Sequence, residues 1–169
     1  MATNQLIDVA IIGGGPAGYA AAIYTARANL STTVIEQGMS GGQIATTNEV
    51  ENYPGIPLLS GVELGERFQQ HAEGLGAQVE WSMVTGIDYD ADASLFTVHH
   101  DTGETIARSV IACMGATPRP AGFVGEDAYR GRGVSYCATC DGMFFRGKQV
   151  FVIGGGNAAC EEALFLSDI

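Results

Sequence analysis

The sequence predicts an α/β fold: a parallel sheet with a small antiparallel insert forms a first domain, and a second domain of the same type begins after it. Three observations lead to this prediction. An apolar run over residues 6–12 ends in a glycine cluster that opens a helical segment. A second apolar run, over residues 149–153, ends in a similar cluster. Between them, residues 79–111 alternate between short β-branched runs and turn residues, which is typical of strands joined by turns.

The first unit of strand, helix and strand ends at Glu36. Residues 6–12 form a short, nearly continuous apolar run, as buried parallel strands do. Residues 16–28 follow as a helix, and residues 32–35 as a second, β-branched strand. The predicted apolar positions of the helix are Ala17, Ala20, Ala21, Tyr24 and Ala28.

A long loop, a helix and the insert follow. Residues 38–57 have no hydrophobic period, and loops of that length are usually functional. Ser60 caps a predicted helix that runs to Leu75. Its expected apolar contacts are Val62, Leu64, Phe68 and Leu75. Short strand candidates at 79–81, 84–89, 95–99 and 105–111 predict a small antiparallel insert and a strand that returns to the main sheet.

The glycine- and proline-rich segment 115–120 breaks this pattern and is the best candidate for a linker. We therefore predict a first domain over residues 1–116 and a second over residues 117–169. Residues 149–153 are the predicted strand of the second domain, and a helix begins near Asn157. A lone strand and helix cannot bury both of their faces, so we expect the second domain to be incomplete.

Composition excludes several classes of partner. Hydrophobic residues make up 46% of the chain and charged residues 16%, which is ample for a buried core. The formal net charge of −11 argues against nucleic acid, because phosphate binding needs a basic surface. No apolar run has the length of a membrane span, and the first residues lack the features of a signal peptide. We expect a cytoplasmic protein.

The first glycine cluster has the spacing of a dinucleotide-binding turn. Gly13, Gly15 and Gly18 follow a predicted strand and open a predicted helix. In such a turn the first glycine permits the bend, the second lets a pyrophosphate approach the backbone, and the third lets helix and strand pack closely. The helix N-terminus offers free N–H groups to the phosphates. Glu36, at the end of the second strand, is the expected partner of the ribose hydroxyls.

The second glycine cluster repeats this pattern as Gly154-x-Gly156-x-x-Ala159, with Asn157 at the expected helix start. Alanine is accepted at the third position. Two such turns separated by a linker predict two nucleotides bound by two domains. A glycine turn without a ligand is the alternative at this position.

The third motif is the pair Cys137 and Cys140, followed by Asp141. A two-residue gap lets the thiols close a small disulfide ring at a helix start and lowers the pKa of one thiol. Asp141 is placed to exchange a proton with a thiolate. Half of a zinc site is the alternative, but Cys113 and Cys160 are isolated singles, so we predict no metal.

Together these motifs resemble the low-molecular-weight thioredoxin reductases, in the N-terminal portion of that family. The blocks that carry the resemblance are residues 13–19, 41–43, 49–55, 131–142 and 154–157, in the order and spacing of the family. The resemblance implies a Rossmann-like FAD-binding domain followed by the start of a Rossmann-like NADPH-binding domain. It also implies a homodimer and thioredoxin, or a thioredoxin-like protein, as the partner.

Residue by residue, the resemblance implies three sets of functional positions. Those expected to bind FAD are Gly13, Gly15, Pro16, Ala17, Gly18, Glu36, Gly41, Gly42, Gln43 and Asn52. Those expected to bind NADPH are Gly154, Gly156, Asn157 and Ala159. The expected catalytic residues are Cys137 and Cys140, as the redox disulfide, and Asp141, as the acid or base.

The implied activity is thioredoxin-disulfide reduction, with electrons passing from NADPH through FAD and the disulfide. A flavoprotein of the alkyl hydroperoxide reductase type, a ferredoxin-dependent relative and a non-catalytic fragment are the alternatives. The chain departs from the family pattern at two places. Where the family often has Ala-Thr-Gly, this chain has Cys113-Met114-Gly115. Cys160 stands where an aliphatic residue is more usual, so we expect Cys160 to be buried.

Overall fold

The computed structural model describes residues 6–169, which form two compact units, one ending at Ala116 and one spanning Thr117–Ile169. The predicted α/β fold class is confirmed. The strands are β1 (Ile7–Ile12), β2 (Thr32–Glu36), β3 (Gln78–Trp81), β4 (Val84–Asp90), β5 (Leu95–His100) and β6 (Gly103–Ala112). The helices are α1 (Pro16–Arg27), α2 (Gly61–Gly74), α3 (Ala138–Asp141) and α4 (Asn157–Ser167). No helix within residues 6–169 is long and apolar enough to cross a membrane.

All six strands of the first unit form one sheet, in the order β3-β2-β1-β6-β5-β4. The strands β3, β2, β1 and β6 are parallel to one another, and β4, β5 and β6 form an antiparallel meander. The predicted insert is therefore present, with one correction. The segment at 79–81 lies in β3 and pairs in parallel with β2, because α2 provides the crossover that parallel neighbours require.

The strand β6 belongs to both parts of the sheet. Its first half pairs antiparallel with β5, from Gly103 to Ala107, and its second half pairs parallel with β1, from Ala107 to Ala112. This single strand is the one that the sequence predicted to return to the main sheet. It ends directly beside the first glycine turn, since Cys113 N donates to the Ile12 carbonyl at 2.8 Å.

The core of the first unit lies on both faces of the parallel strands. Alternate residues of a strand point to opposite faces. Accordingly Val9 and Ile11 pack with α1 and α2, while Ala10 and Ile12 pack with Val98 of β5. These four β1 residues are buried, so β1 is the central strand of the unit.

The buried face of α1 differs from the predicted one. It consists of Gly18, Tyr19, Ala22 and Ala26, whereas Tyr24 is 75% exposed. The cause is Gly18, which packs so closely on the glycine turn that a Cβ there would lie 1.9 Å from the Gly13 carbonyl oxygen. Once Gly18 faces the sheet, residues four and eight positions later face it as well.

The helix α2 begins as predicted. Ser60 and Glu63 form a capping box, in which each side chain bonds to the other residue's backbone N–H. Leu64 is buried and Phe68 packs against the core, as expected. Val62 and Leu75 are exposed, and for them the prediction is wrong. They lie outside the stripe that faces α1, residues 42–46 and β3.

The second unit contains little regular structure. The short helix α3 continues into a 3₁₀ turn over Gly142–Phe145, and α4 follows the second glycine cluster as predicted. The predicted strand at 149–153 is wrong, because these residues form no ladder. A strand needs a hydrogen-bonded neighbour, and none of the described residues of this unit provides one. Phe151 is 83% exposed and Ile153 62% exposed.

Candidate dinucleotide turn and redox disulfide

The first glycine turn is shaped by close backbone contacts. Gly13 has a φ of +104°, and a Cβ there would lie 2.4 Å from the Cys113 carbonyl oxygen. With Gly18, it lets the chain turn from β1 into α1 between two neighbouring backbones. Gly15 has no atom within 4 Å of an ideal Cβ, so its Cα faces open space at the helix start. The turn therefore offers an open surface at the N-terminus of α1, where the first N–H groups have no intrahelical partners.

Glu36 lies beside this turn, at the end of β2. One carboxylate oxygen accepts a hydrogen bond from Gly14 N at 2.6 Å, and the other accepts one from Gly38 N at 2.8 Å. The side chain is half-buried. The acid predicted from sequence is thus adjacent to the glycines, at the carboxyl edge of the parallel strands, where ligands of such sheets bind.

Residues 41–43 pack against the first glycine turn. Gly41 N donates to the Gly14 carbonyl at 2.8 Å, and a Cβ on Gly42 would lie 3.4 Å from the Gly15 Cα. Gln43 donates from Nε2 to the Ala116 carbonyl. The loop predicted to be functional therefore lies directly against the first glycine turn.

Sequence reasoning missed the side chains that hold this loop. The Tyr19 hydroxyl, fully buried, bonds to the Ser40 hydroxyl at 2.7 Å, and Ser40 donates to Gln69 at 2.5 Å. Burial raises the pKa of the Tyr19 phenol, against the opposing effect of the Ser40 hydrogen bond. The chain of bonds joins α1, the loop and α2. Its members are far apart in sequence, so no local pattern indicates it.

The other residues of the first predicted site are more open. Pro16 and Ala17 are exposed at the start of α1, and Asn52 is exposed in the loop between residue 50 and its bridge partner Leu59. A bound dinucleotide fits this arrangement of open positions around a helix N-terminus, a close-packed turn and an acid at the end of β2.

The Cys113 thiol follows β6, and its burial raises its pKa.

The second glycine cluster opens α4 but is less constrained. Gly154 has a φ of +143°, and its nearest contact for a Cβ would be the Cβ of Ala159 at 3.1 Å. Gly155 and Gly156 face open space. Cys160 is exposed, so the expectation that it is buried is wrong. The reason is that α4 buries none of its own residues within this unit.

Cys137 and Cys140 form a disulfide, with their Cα atoms 5.3 Å apart. The pairing expected from their spacing is therefore present. Cys137 is the N-cap of α3, and Cys140 lies in the helix and is exposed. Within residues 6–169, no group of three or more His, Cys, Asp or Glu side chains is placed to hold a metal ion.

Asp141 is anchored next to the disulfide. It accepts a hydrogen bond from the Ser135 hydroxyl at 2.5 Å. The same hydroxyl accepts one from Cys137 N at 3.1 Å. Ser135 thus links the backbone of one cysteine to the carboxylate that follows the other. A carboxylate at this place can exchange protons with a thiol that opens from the disulfide.

One chain thus combines a parallel sheet, a glycine turn of the dinucleotide-binding type and a Cys-x-x-Cys disulfide. The family model described as pyridine nucleotide-disulphide oxidoreductase matches residues 7–169, and the chain belongs to this family.

The resemblance to thioredoxin reductases is confirmed by curated relatives and solved structures. The chain is 45% identical to the thioredoxin reductase of Bacillus subtilis (strain 168) over 171 residues, covering 99% of this chain and 52% of that protein. It is 50% identical to that of Treponema pallidum (strain Nichols) over 161 residues, covering 95% and 52%. The crystal structure of thioredoxin reductase from Streptococcus pyogenes MGAS5005 matches with a TM-score of 0.89 at 43% identity, covering 98% of this chain and 54% of that one. The chain thus spans about half the length of the curated relatives it matches.

Proposed function

We propose that this chain carries the flavin-binding and disulfide-bearing parts of a thioredoxin-disulfide reductase, which passes electrons from NADPH through FAD and the Cys137–Cys140 disulfide to thioredoxin. The observation that carries the proposal is the Cys137–Cys140 disulfide, with Asp141 anchored beside it, in a chain 45% identical to a thioredoxin reductase. The same proposal includes a homodimer, a thioredoxin-like partner and a cytoplasmic location.

The first unit is the proposed FAD-binding domain, over residues 1–116. Gly13, Gly15 and Gly18, with Pro16 and Ala17, would hold the pyrophosphate at the start of α1. Glu36 would exchange its bond with Gly14 N for bonds to ribose hydroxyls. The loop residues Gly41, Gly42, Gln43 and Asn52 would line the remainder of the site. The flavin supplies the means of converting a hydride into an electron pair for a disulfide.

The second unit, over residues 117–169, is the proposed start of the NADPH-binding domain. Gly154 and Gly156 precede the N-terminus of α4, with Asn157 and Ala159 in its first turn. These four residues would hold the pyrophosphate of NADPH by the same physical means as the first turn.

The cysteines carry the exchange step. In the reduced form, one thiolate attacks the disulfide of thioredoxin and forms a mixed disulfide, and the second thiolate then displaces the thioredoxin thiol. The two electrons of the Cys137–Cys140 dithiol thereby reduce one thioredoxin disulfide to two thiols. Asp141 would take up and return the proton. In this proposal the Cys137 thiolate would attack thioredoxin, and Cys140 would be the cysteine that exchanges electrons with the flavin.

Thiol counting on the purified chain tests the redox pair. The oxidised chain should show two reactive thiols under denaturing conditions, from Cys113 and Cys160, and four after mild reduction. Cys137→Ser combined with Cys140→Ser is the control, and it should show two thiols in both states. Four thiols before reduction under air, or no increase after it, would contradict the proposal.

A further inference from the structure

The buried side chains of the second unit include a carboxylate. Glu126 is 5% exposed, and the one buried hydrophobic residue within residues 117–169 is Ala138. Its two oxygens accept hydrogen bonds from Ala121 N at 2.8 Å and Gly122 N at 2.6 Å. A buried carboxylate is costly unless it is bonded in this way. Glu126 therefore organises the segment in which it lies.

The third bond of Glu126 reaches the disulfide segment. The Tyr136 hydroxyl donates to Glu126 at 2.5 Å, and this bond is the main reason why the pKa of the Glu126 carboxyl is held below its usual value. The guanidinium of Arg130 lies 4.9 Å from the centre of the Tyr136 ring. The ring is thus held at its hydroxyl and on its face. Tyr136 is also the residue directly before Cys137.

We propose that Glu126, acting through Tyr136, is a positioning residue for the redox disulfide: it fixes the backbone before Cys137 and so keeps the Cys137 sulfur within reach of Cys140. The inference rests on the proposed function only in that the disulfide must be reversible. On the same N-terminal side of Cys137, the bond from its N–H to the Ser135 hydroxyl supplies a second anchor.

The physical effect of this anchoring is on the disulfide equilibrium. Dithiothreitol reduces the protein by two exchanges: the Cys137–Cys140 bond breaks, two protein thiols form, and the reagent closes into its cyclic disulfide. The equilibrium depends on the effective concentration of one protein thiol at the other. An anchored Cys137 has a higher effective concentration, so the anchor favours the oxidised protein.

The test is the equilibrium of the 169-residue chain in buffers of reduced and oxidised dithiothreitol, read by thiol trapping. Glu126→Gln and Tyr136→Phe should each make the disulfide easier to reduce, shifting the equilibrium constant by about fivefold. If Glu126 acts through Tyr136, adding Glu126→Gln to the Tyr136→Phe variant should change the constant no further. A role confined to the Ala121 and Gly122 bonds would instead leave the effect of Glu126→Gln intact in that background, and would overturn the proposal.

Asp127→Asn is the matched control, because it removes the same charge from the neighbouring, exposed position. It should leave the equilibrium constant unchanged, and a shift equal to that of Glu126→Gln would overturn the proposal. Circular dichroism checks folding, and if Glu126→Gln unfolds the unit, Tyr136→Phe alone decides. An unshifted constant in Tyr136→Phe overturns this inference, whereas a wild-type disulfide that cannot be reduced at all contradicts the proposed function.

Discussion

The two glycine clusters share one sequence pattern but differ in what surrounds them. The first connects β1 to α1 beside the end of β6, and a backbone oxygen would lie 2.4 Å from a Cβ at Gly13 and 1.9 Å from a Cβ at Gly18. The second follows a segment that forms no strand, and Gly154 approaches only the Ala159 side chain, at 3.1 Å. The comparison teaches that the pattern selects a turn, while the backbone packed against the turn determines how strictly each glycine is required.

The largest expected effect comes from Gly18→Ala. The new methyl group would overlap the Gly13 carbonyl, so either α1 must move away from β1 or the turn must open. We expect a loss of about 4 kcal/mol or more in the free energy of unfolding of the first unit, measured by urea denaturation. The second cluster already has Ala159 at the position of Gly18, and Gly156→Ala, where the space is open, should cost no more than about 1 kcal/mol. A loss for Gly156→Ala as large as that for Gly18→Ala would show that Gly156 is packed as closely as Gly18.

A second contrast compares the segments that precede the two turns. Ile11 is fully buried in β1, whereas Phe151 is 83% exposed in the corresponding segment of the second unit. Ile11→Ala should lower the free energy of unfolding by about 3 kcal/mol, because it leaves a cavity in the core. Phe151→Ala should change it by less than about 0.5 kcal/mol. A large loss in the free energy of unfolding for Phe151→Ala would mean that the Phe151 side chain is buried in solution.

Gly15→Ala separates stability from ligand binding at the first turn. A methyl group there meets no protein atom, so we expect the free energy of unfolding to change by less than about 1 kcal/mol. It would project into the space proposed for the FAD pyrophosphate, so FAD affinity should fall by at least about tenfold, measured by fluorescence titration. Gly74→Ala, which also meets open space but lies at the end of α2, should leave the affinity unchanged. Unchanged affinity in Gly15→Ala would contradict the proposed site.

The smallest effects concern pH, and the two units should respond in opposite directions. In the first unit His99 bonds to Asp88 and Glu104, and mainly the Asp88 bond raises the pKa of His99 above its usual 6.5. Its contribution to stability is therefore full below pH 6.5 and is lost as pH rises through the folded pKa. His99→Gln should cost more stability at pH 5.5 than at pH 9. A difference that does not depend on pH would show that the charged form of His99 contributes nothing.

In the second unit Glu126 has a lowered pKa, mainly because Tyr136 donates to it. Its contribution to stability is present above its unfolded pKa and is lost as pH falls through the lower, folded pKa. Glu126→Gln should thus cost more stability at pH 7 than at pH 3, as followed by thermal unfolding. A larger cost at pH 3 would reverse the sign and contradict the assignment.

Features set by local sequence were predictable. The Ser60–Glu63 capping box needs only residues three apart, and the Gly13 turn needs only the strand and helix that flank it. The strand expected at 149–153 fails because strand formation depends on a partner strand, which a single segment cannot reveal. The prediction of the buried face of α1 was wrong because it relied on the spacing of apolar residues. The close contact of Gly18 with the glycine turn orients that helix instead.

The candidate site shows the same division. The glycines, Glu36 and the cysteine pair were visible as spacings along the chain. The Tyr19–Ser40–Gln69 bonds and the Glu126–Tyr136 bond join residues from separate elements or loops, and nothing in their spacing distinguishes them from surface polar residues. Such bonds depend on the folded path of the backbone, so only the structure reveals them.

The placement of β6 has a consequence for the order of folding. Its pairing with β5, like the pairing of β5 with β4, is local, since these strands follow one another along the chain. Its pairing with β1 joins Ile7 to Ala107, a separation of 107 − 7 = 100 residues. During synthesis the hairpins of the meander can therefore close as they emerge, whereas β1 must wait until β6 has left the ribosome. Until then one edge of β1 lacks its partner strand, and an unpaired apolar edge is open to pairing with another chain.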